Sequence, residues 1–180
     1  MQVRILNFPT IAFSLFVGVV FIYLLSKNLT IYHDIKQGAL LKIGSESPNF
    51  SLVKTSGEAL DFKELRGRKV ILFFFSPTCG SCIVEAPYWS NIYKKHLPSV
   101  NLFMVGICPS DSSGLVSFQR KTKCDFPVLL DNKNVMEKYR VKTYPKIVLV
   151  DETGKIVFTN DSYPLNDAIH KLSKILEGNG

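Results

Sequence analysis

The sequence has only four cysteines, and no run of basic residues in it is interleaved with aromatic side chains. A nucleic-acid site needs such a basic stretch, so the net charge of +7 does not indicate binding of DNA or RNA. From residue 44 onward the chain has 18 Lys and Arg against 14 Asp and Glu, which is only mildly basic. Internal repeats and low-complexity stretches are also missing. These absences predict one globular domain without a nucleic-acid partner.

Charge is also missing near the N-terminus, where no charged residue occurs from Ile5 to Leu25. The apolar run Phe8–Leu25 would form a helix of about 27 Å, close to the hydrocarbon thickness of a bilayer. The run does not end in the small residues of a cleavage site, and no cysteine follows it for lipid attachment. We therefore predict an uncleaved transmembrane helix at residues 5–25 and a polar tether at residues 26–43. A cleaved signal peptide and a buried globular helix are the alternatives.

Residues 44–180 alternate between strand-like and helix-like patterns. Val70–Phe75 is entirely apolar and lies between Gly67 and Pro77, which is typical of a strand buried on both faces. Ile147–Val150 and Ile156–Thr159 flank a turn containing glycine and predict a hairpin. Further strands are expected at Asn49–Val53, Leu102–Ile107 and Val128–Leu130, and helices after Asp61, which caps the first, and at Gly80–His96, Ser112–Lys123, Asn134–Tyr139 and Leu165–Glu177. This alternation predicts an α/β sandwich around a central mixed sheet.

The motif Cys79-Gly80-Ser81-Cys82 follows the most apolar strand and begins a helix. The first N–H groups of a helix are unpaired and its dipole is positive there, so a thiolate at this point is stabilised. Cys79 is therefore expected to have a lowered pKa and to attack a disulfide, and Cys82 to resolve the mixed disulfide that forms. Half of a zinc site and a purely structural disulfide are the alternatives. No metal is expected, because the other two cysteines do not form a second pair.

The remaining cysteines are Cys108 and Cys124. Cys108 should lie at the C-terminal end of a strand, on the sheet edge that carries the cysteine pair. A helix of about 18 Å separates it from Cys124, which is too far for a disulfide. We expect two free thiols, with Cys124 filling the core and Cys108 either doing the same or serving as an auxiliary thiol.

Several motifs around the pair resemble those of the TlpA-like thioredoxins. They are Ser47–Leu52, Gly57, Leu65–Val70, the Phe-rich strand, Cys79–Cys82 with Glu85 and Pro87, and Thr143–Pro145. This family, which includes the ResA and DsbE types, belongs to the thioredoxin superfamily with the AhpC/TSA relatives. Its members are membrane-anchored, extracytoplasmic thiol–disulfide oxidoreductases, among them the reductases of cytochrome c maturation. The resemblance covers about residues 44–177 and implies a thioredoxin-like three-layer sandwich.

The resemblance also implies roles for individual residues. Cys79 would attack, Cys82 would resolve, and Pro145 would be a cis-proline beside them. The loop formed by Thr143, Tyr144 and Pro145 would bind the substrate through its backbone.

Glu85 matches an acid of the family that assists proton transfer near the active site, the alternative being a solvated surface glutamate. Two positions depart from relatives. Phe73 stands where cytoplasmic thioredoxins have a buried acid, and Thr78 stands where many relatives have an aromatic residue. The first departure makes Glu85 the better candidate for a proton-handling group.

The function implied is an enzyme without cofactor that keeps client cysteines reduced and is recharged by a membrane electron donor. An oxidising compartment suits this chemistry, so the domain is expected on the periplasmic side of a bacterial inner membrane, held by a single span. Lys142 and Lys146 suggest a neutral or acidic partner surface. The alternatives are a peroxidase, whose motif is missing, and a copper chaperone, for which only His33, His96 and His170 could add a ligand.

Overall fold

The computed structural model describes residues 8–38, 41–96, 101–109, 113–131, 134–160 and 164–178. The chain divides into two compact units, Met1–Leu40 and Leu41–Gly180. Residues 5–7 of the expected membrane segment, Ser112 at the start of an expected helix and the last two residues lie outside the described part.

The first unit contains helix α1, which spans Phe8–Gly38. The apolar side chains from Phe13 to Leu25 are exposed, that of Phe13 to 68%. The helix does not end with the apolar run but continues past Lys27, through most of the residues expected to form a tether. Among the described residues, no helix is both long enough and apolar enough to cross a membrane. The structure therefore does not support the transmembrane helix expected at residues 5–25.

The second unit is built on a seven-stranded sheet. Its strands are β1 (Ser51–Lys54), β2 (Ala59–Asp61), β3 (Lys69–Phe74), β4 (Leu102–Pro109), β5 (Val128–Asp131), β6 (Lys146–Val150) and β7 (Ile156–Thr159). Their spatial order is β2-β1-β5-β4-β3-β6-β7. The strands β3, β4 and β5 are parallel, whereas the other neighbours are antiparallel. The sheet is therefore mixed, as expected.

Helices cover both faces of this sheet. On one face lie α2 (Gly80–His96), α3 (Leu115–Thr122) and α5 (Leu165–Leu176), and on the other lie α4 (Asn134–Lys138) and a turn of 3-10 helix at Phe62–Leu65. Asp61 caps that turn as expected, because its carboxylate accepts a hydrogen bond of 2.9 Å from the backbone N–H of Lys63. The three layers form the sandwich that the sequence predicts.

Strand β3 lies in the interior of the sheet, between β4 and β6. It can be buried there because nearly all of its side chains are apolar. Ile71 and Phe73 contribute to the core under α2, whereas Leu72 and Phe74 contribute to the core under α4. A strand with two buried faces must be apolar on both, as the run Val70–Phe75 is. The chain therefore leaves the centre of the sheet just before Cys79.

The segment at residues 44–47 lies beside β7. The N–H of Gly44 donates to the carbonyl of Ile156 at 2.7 Å, and the N–H of Ile156 donates to the carbonyl of Ser45 at 2.9 Å. The backbones of Glu46 and Lys155 also form an isolated antiparallel β-bridge. These bonds pair backbone groups at the start of β7, which would otherwise lack a neighbour at the edge of the sheet.

Candidate active site

The two cysteines of the motif lie where β3 leads into α2. Cys79 directly precedes the first residue of α2, and Cys82 lies in its first turn. Cys79 is partly exposed, whereas Cys82 is completely buried in the core under α2. Both cysteines are free thiols, so the structure shows the reduced pair.

The sulfur of Cys79 receives hydrogen bonds from the start of α2. The backbone N–H of Cys82 points at Cys79 Sγ from 3.4 Å, and Ser81 Oγ lies 3.1 Å from the same sulfur. Burial raises the pKa of Cys79, but the hydrogen bonds from Cys82 and Ser81 outweigh it and leave the pKa below its ordinary value. The first turn of a helix is suited to a thiolate for this reason. Cys79 is thus arranged as the nucleophile.

Cys82 has the opposite environment. Burial raises its pKa above the ordinary value, its hydrogen bond to Cys79 raises it further, and the negative charge of Glu85 also contributes. This thiol therefore stays protonated until a nearby group takes its proton. Because it is completely buried, a folded partner cannot reach it.

Glu85 lies one turn after Cys82 and is half-buried rather than solvated. Its Oε2 accepts a hydrogen bond of 3.2 Å from Nε1 of the buried Trp89. Burial raises the pKa of Glu85, and the bond from Trp89 opposes this only in part. A carboxyl group with a raised pKa beside a buried thiol is suited to proton transfer. Its catalytic role nevertheless stays a prediction.

The loop before β6 lies against the cysteine pair. The peptide bond between Tyr144 and Pro145 is cis, as the resemblance implies. The carbonyl oxygen of Tyr144 lies 3.7 Å from Cys79 Sγ and 3.4 Å from Ser81 Oγ. Thr143 is exposed. The structure thus brings Tyr144 to Cys79, while the role of the loop in substrate binding stays a prediction.

Two features of this loop were not expected. The hydroxyl of Tyr144 contacts Met136 Sδ at 3.1 Å, which ties the loop to α4. Lys146, expected to face a partner together with Lys142, is only 3% exposed. Its ammonium group donates to the carbonyl of Arg140 at 3.4 Å. The residue begins the fully buried strand β6, so only Lys142 is left to meet a partner.

Cys108 and Cys124 are buried, and neither forms a disulfide, as expected. Cys108 lies near the C-terminal end of β4, and Cys124 follows α3, where its sulfur lies 3.2 Å from Thr122 Oγ1. Whether Cys108 acts as an auxiliary thiol stays a prediction. Within the described ranges, no group of three His, Cys, Asp or Glu side chains is placed to hold a metal ion.

Alkylation of Cys79 by iodoacetamide should reach its plateau at a lower pH than that of an ordinary thiol. Only the thiolate reacts, and hydrogen bonding lowers the pKa of Cys79 below the value of an ordinary thiol. The rate should therefore rise with pH and level off below that value, as measured by mass spectrometry of the folded protein.

Ser81→Ala removes one of these hydrogen bonds and should move the plateau to higher pH. Cys82, buried and with a raised pKa, should stay unmodified near neutral pH. A wild-type plateau at or above the ordinary thiol pKa would contradict the assignment of Cys79 as the activated thiol.

The sequence pattern of the AhpC/TSA family matches residues 43–159, a range that contains the cysteine pair, Glu85 and Pro145. The thiol-disulfide oxidoreductase ResA of Bacillus subtilis is 29% identical over 163 residues, which are 89% of this chain and 90% of that protein. The thioredoxin-like protein YneN of the same organism is 30% identical over 115 residues, which are 63% of this chain and 68% of that protein.

Solved structures show the same fold. A putative protein disulfide isomerase from Bacteroides thetaiotaomicron is 26% identical, with a TM-score of 0.66 over 76% of this chain and 91% of its own. A putative thiol:disulfide interchange protein DsbE from Chlorobium tepidum is 23% identical, with a TM-score of 0.68 over 78% of this chain and 99% of its own. The second unit of the chain is therefore a thioredoxin-like domain.

Proposed function

We propose a disulfide-reductase function from one premise: the chain belongs to the AhpC/TSA family and is a thioredoxin-like thiol–disulfide oxidoreductase. Its substrates are disulfides in client proteins, and its reacting groups are Cys79 and Cys82. The observation that carries this proposal is the contrast between a partly exposed thiol of lowered pKa and a buried thiol of raised pKa. Attack and resolution require this division between two sulfurs.

The reaction proceeds in two exchanges. The thiolate of Cys79 attacks one sulfur of the client disulfide, a mixed disulfide forms, and the other client sulfur leaves as a thiolate that takes up a proton. Cys82 then loses its proton and attacks Cys79 Sγ, which releases the second client thiol and closes the Cys79–Cys82 disulfide. The client disulfide gains two electrons and two protons, and the enzyme dithiol loses them.

Two further residues assist in this scheme. Glu85 takes the proton of Cys82 in the second exchange, since its raised pKa brings it closer to that of a thiol. The backbone beside Pro145 pairs with the client chain, supported by the position of the Tyr144 carbonyl at Cys79. This placement would hold the client sulfur in line with the attacking one.

The proposal extends to the setting of the reaction. We place the domain outside the cytoplasm of a bacterium, at the inner membrane, with cytochrome c or other cofactor proteins as clients. The exposed apolar side chains of α1 support a membrane association, and an oxidising compartment supplies clients with disulfides. The oxidised pair is then reduced by a membrane electron donor. Recovery of the full chain only in the soluble fraction of lysed cells would contradict this setting.

The reduction potential of the Cys79–Cys82 pair tests the proposed direction of electron flow. For a reductase we expect a value near or below that of thioredoxin, about −270 mV. The protein would be equilibrated in dithiothreitol buffers of known potential, and the reduced fraction counted by alkylation and mass spectrometry.

A potential near −120 mV, the range of strong disulfide-forming oxidants, would reverse the direction and refute the reductase proposal. The absence of any reversible couple between the two sulfurs would refute thiol exchange at this site altogether. A Cys82→Ser variant, which cannot form the disulfide, provides the baseline for the alkylation count.

A further inference from the structure

Helix α2 buries one face and exposes another that is unusual in composition. Its buried side chains include Cys82, Ala86 and Trp89. On the opposite face Val84 is 60% exposed and Tyr88 is 51% exposed. Residues four apart in a helix are neighbours on the surface, so these two form one apolar patch.

None of the exposed residues in the first three turns of α2 is charged, and the half-buried Glu85 at the border of this face accepts a hydrogen bond from Trp89. The exposed residues of α2 in these turns are Gly80, Ser81, Val84, Tyr88 and Asn91. A helix face in contact with water is ordinarily rich in charged side chains, whereas a surface that binds apolar groups is not. The composition of this face therefore fits contact with an uncharged, apolar group better than contact with water alone.

This face is continuous with the proposed active site. Ser81 lies three residues before Val84, hence on the same side of the helix, and Ser81 Oγ lies 3.1 Å from Cys79 Sγ. The same oxygen lies 3.4 Å from the carbonyl of Tyr144, in the loop proposed to pair with the client. Ser81, Val84 and Tyr88 therefore form a strip that begins at the reacting sulfur; we name it the α2 strip.

The length of the α2 strip sets which client residues can reach it. A rise of about 1.5 Å per residue places Val84 about 7.5 Å and Tyr88 about 13.5 Å beyond Cys79 along the helix axis. An extended client chain advances about 3.3 Å per residue. For a client chain that runs along α2 from Cys79, a side chain two to four residues from the client cysteine would therefore lie opposite Val84 and Tyr88.

We infer that the α2 strip binds an apolar side chain of the client, two to four residues from the cysteine that reacts with Cys79. The preferred substrate is accordingly an extended polypeptide segment with an aliphatic or aromatic residue in that window. This inference rests on the proposed function, since it names the substrate class of the same site.

Peptide disulfides test the inference directly. Two pairs of peptides would be used, each peptide with one cysteine in a mixed disulfide with glutathione. The two members of a pair differ only in having Leu or Ser three residues from that cysteine, before it in one pair and after it in the other. We expect the full-length reduced protein to reduce the Leu peptide of at least one flank about tenfold faster than its Ser counterpart. The readout is the ratio of the two rate constants, measured by chromatography of the released peptide.

Variants assign this preference to the strip. The double variant Val84→Ser/Tyr88→Ser should bring the ratio close to one. Val53→Ser is the matched control, because Val53 is 49% exposed but lies on β1, three strands away from β3. That variant should keep the full preference, and circular dichroism checks that both variants fold.

Each remaining outcome is decisive. If the wild-type protein reduces the Leu and Ser peptides at similar rates, or if the double variant keeps the preference for Leu, the inference is overturned. Reduction of both peptides leaves the proposed function standing in either case. If neither peptide nor glutathione disulfide is reduced, the proposed function itself fails. If the α2 strip instead binds a second copy of the chain, sedimentation should show a dimer that the double variant dissociates. The protein would then show no preference between the peptides, and this result also overturns the inference.

Discussion

Replacing Cys82 by serine is expected to stop the reaction at a mixed disulfide. Cys79 keeps its position at the start of α2 and can still attack, but no sulfur is left to displace the client. Turnover should fall by roughly three orders of magnitude or more, because one member of a catalytic pair is missing. The trapped species would appear on a non-reducing gel as a covalent adduct that dithiothreitol releases.

Three other variants define this result. Cys79→Ser should lose turnover without forming an adduct, because the attacking sulfur is gone. Glu85→Gln should form the adduct and release it slowly, about a hundredfold below the wild-type rate, if Glu85 accepts the proton of Cys82. Cys124→Ser should turn over normally. A Cys82→Ser protein that still releases reduced client would show that another thiol resolves the adduct, with Cys108 the first to examine.

Replacing Phe73 by aspartate is expected to unfold the domain. Phe73 is completely buried in the central strand, stacked on Phe75 with ring centroids 5.2 Å apart and in edge contact with Phe126 at 5.8 Å. Truncating a buried phenylalanine costs about 3–5 kcal/mol, and a buried carboxyl group without a partner costs more. The sum is comparable to the whole stability of a typical domain, about 5–15 kcal/mol.

Urea denaturation followed by fluorescence would measure this, since Trp89 is the only tryptophan and is fully buried. Phe73→Leu is the control, because it keeps an apolar side chain and should cost about 1.5 kcal/mol. If Phe73→Asp kept the wild-type midpoint, the site would accept a buried acid as cytoplasmic thioredoxins do. That result would contradict the cost assigned here to burying a carboxyl group without a partner at position 73.

The central strands could be predicted from sequence because their burial leaves a direct trace. Val70–Phe75 corresponds to β3 within one residue, and the hairpin of Ile147–Val150 and Ile156–Thr159 matches β6 and β7 almost residue for residue. A strand buried on both faces must be apolar throughout, and the tight turn of a hairpin requires residues such as glycine. Both requirements are local, so they are visible without the rest of the fold.

Features that depend on distant partners could not be predicted. Strand β2 consists of the three residues Ala59–Asp61, which are too few to show a strand pattern in the sequence. They form a strand because they pair with β1. The burial of Lys146 depends on the carbonyl of Arg140, which the loop brings within reach. The end of α1 was also misplaced, because loss of hydropathy after Leu25 does not end a helix whose backbone bonds continue to Gly38.

The site was predicted in outline and not in its contacts. Cys79, Cys82 and Pro145 followed from a motif and a family resemblance, since chemistry constrains their residue types. The hydroxyl of Ser81, which lies between Cys79 and the Tyr144 carbonyl, is not among the site residues that the sequence predicts. Many residue types fit a turn, so the sequence had no means of marking this one as part of the site.

The segment at residues 44–47 has a consequence for anyone who shortens this chain. Its hydrogen bonds pair backbone groups of Ile156 and Gly154. A fragment whose first residue is Pro48 would leave these groups unpaired at the edge of the sheet. Bare strand rims recruit strands from other molecules, so such a fragment would be prone to self-association even with its core complete. The domain therefore begins before its first strand, and a fragment that keeps these bonds has to begin no later than Gly44.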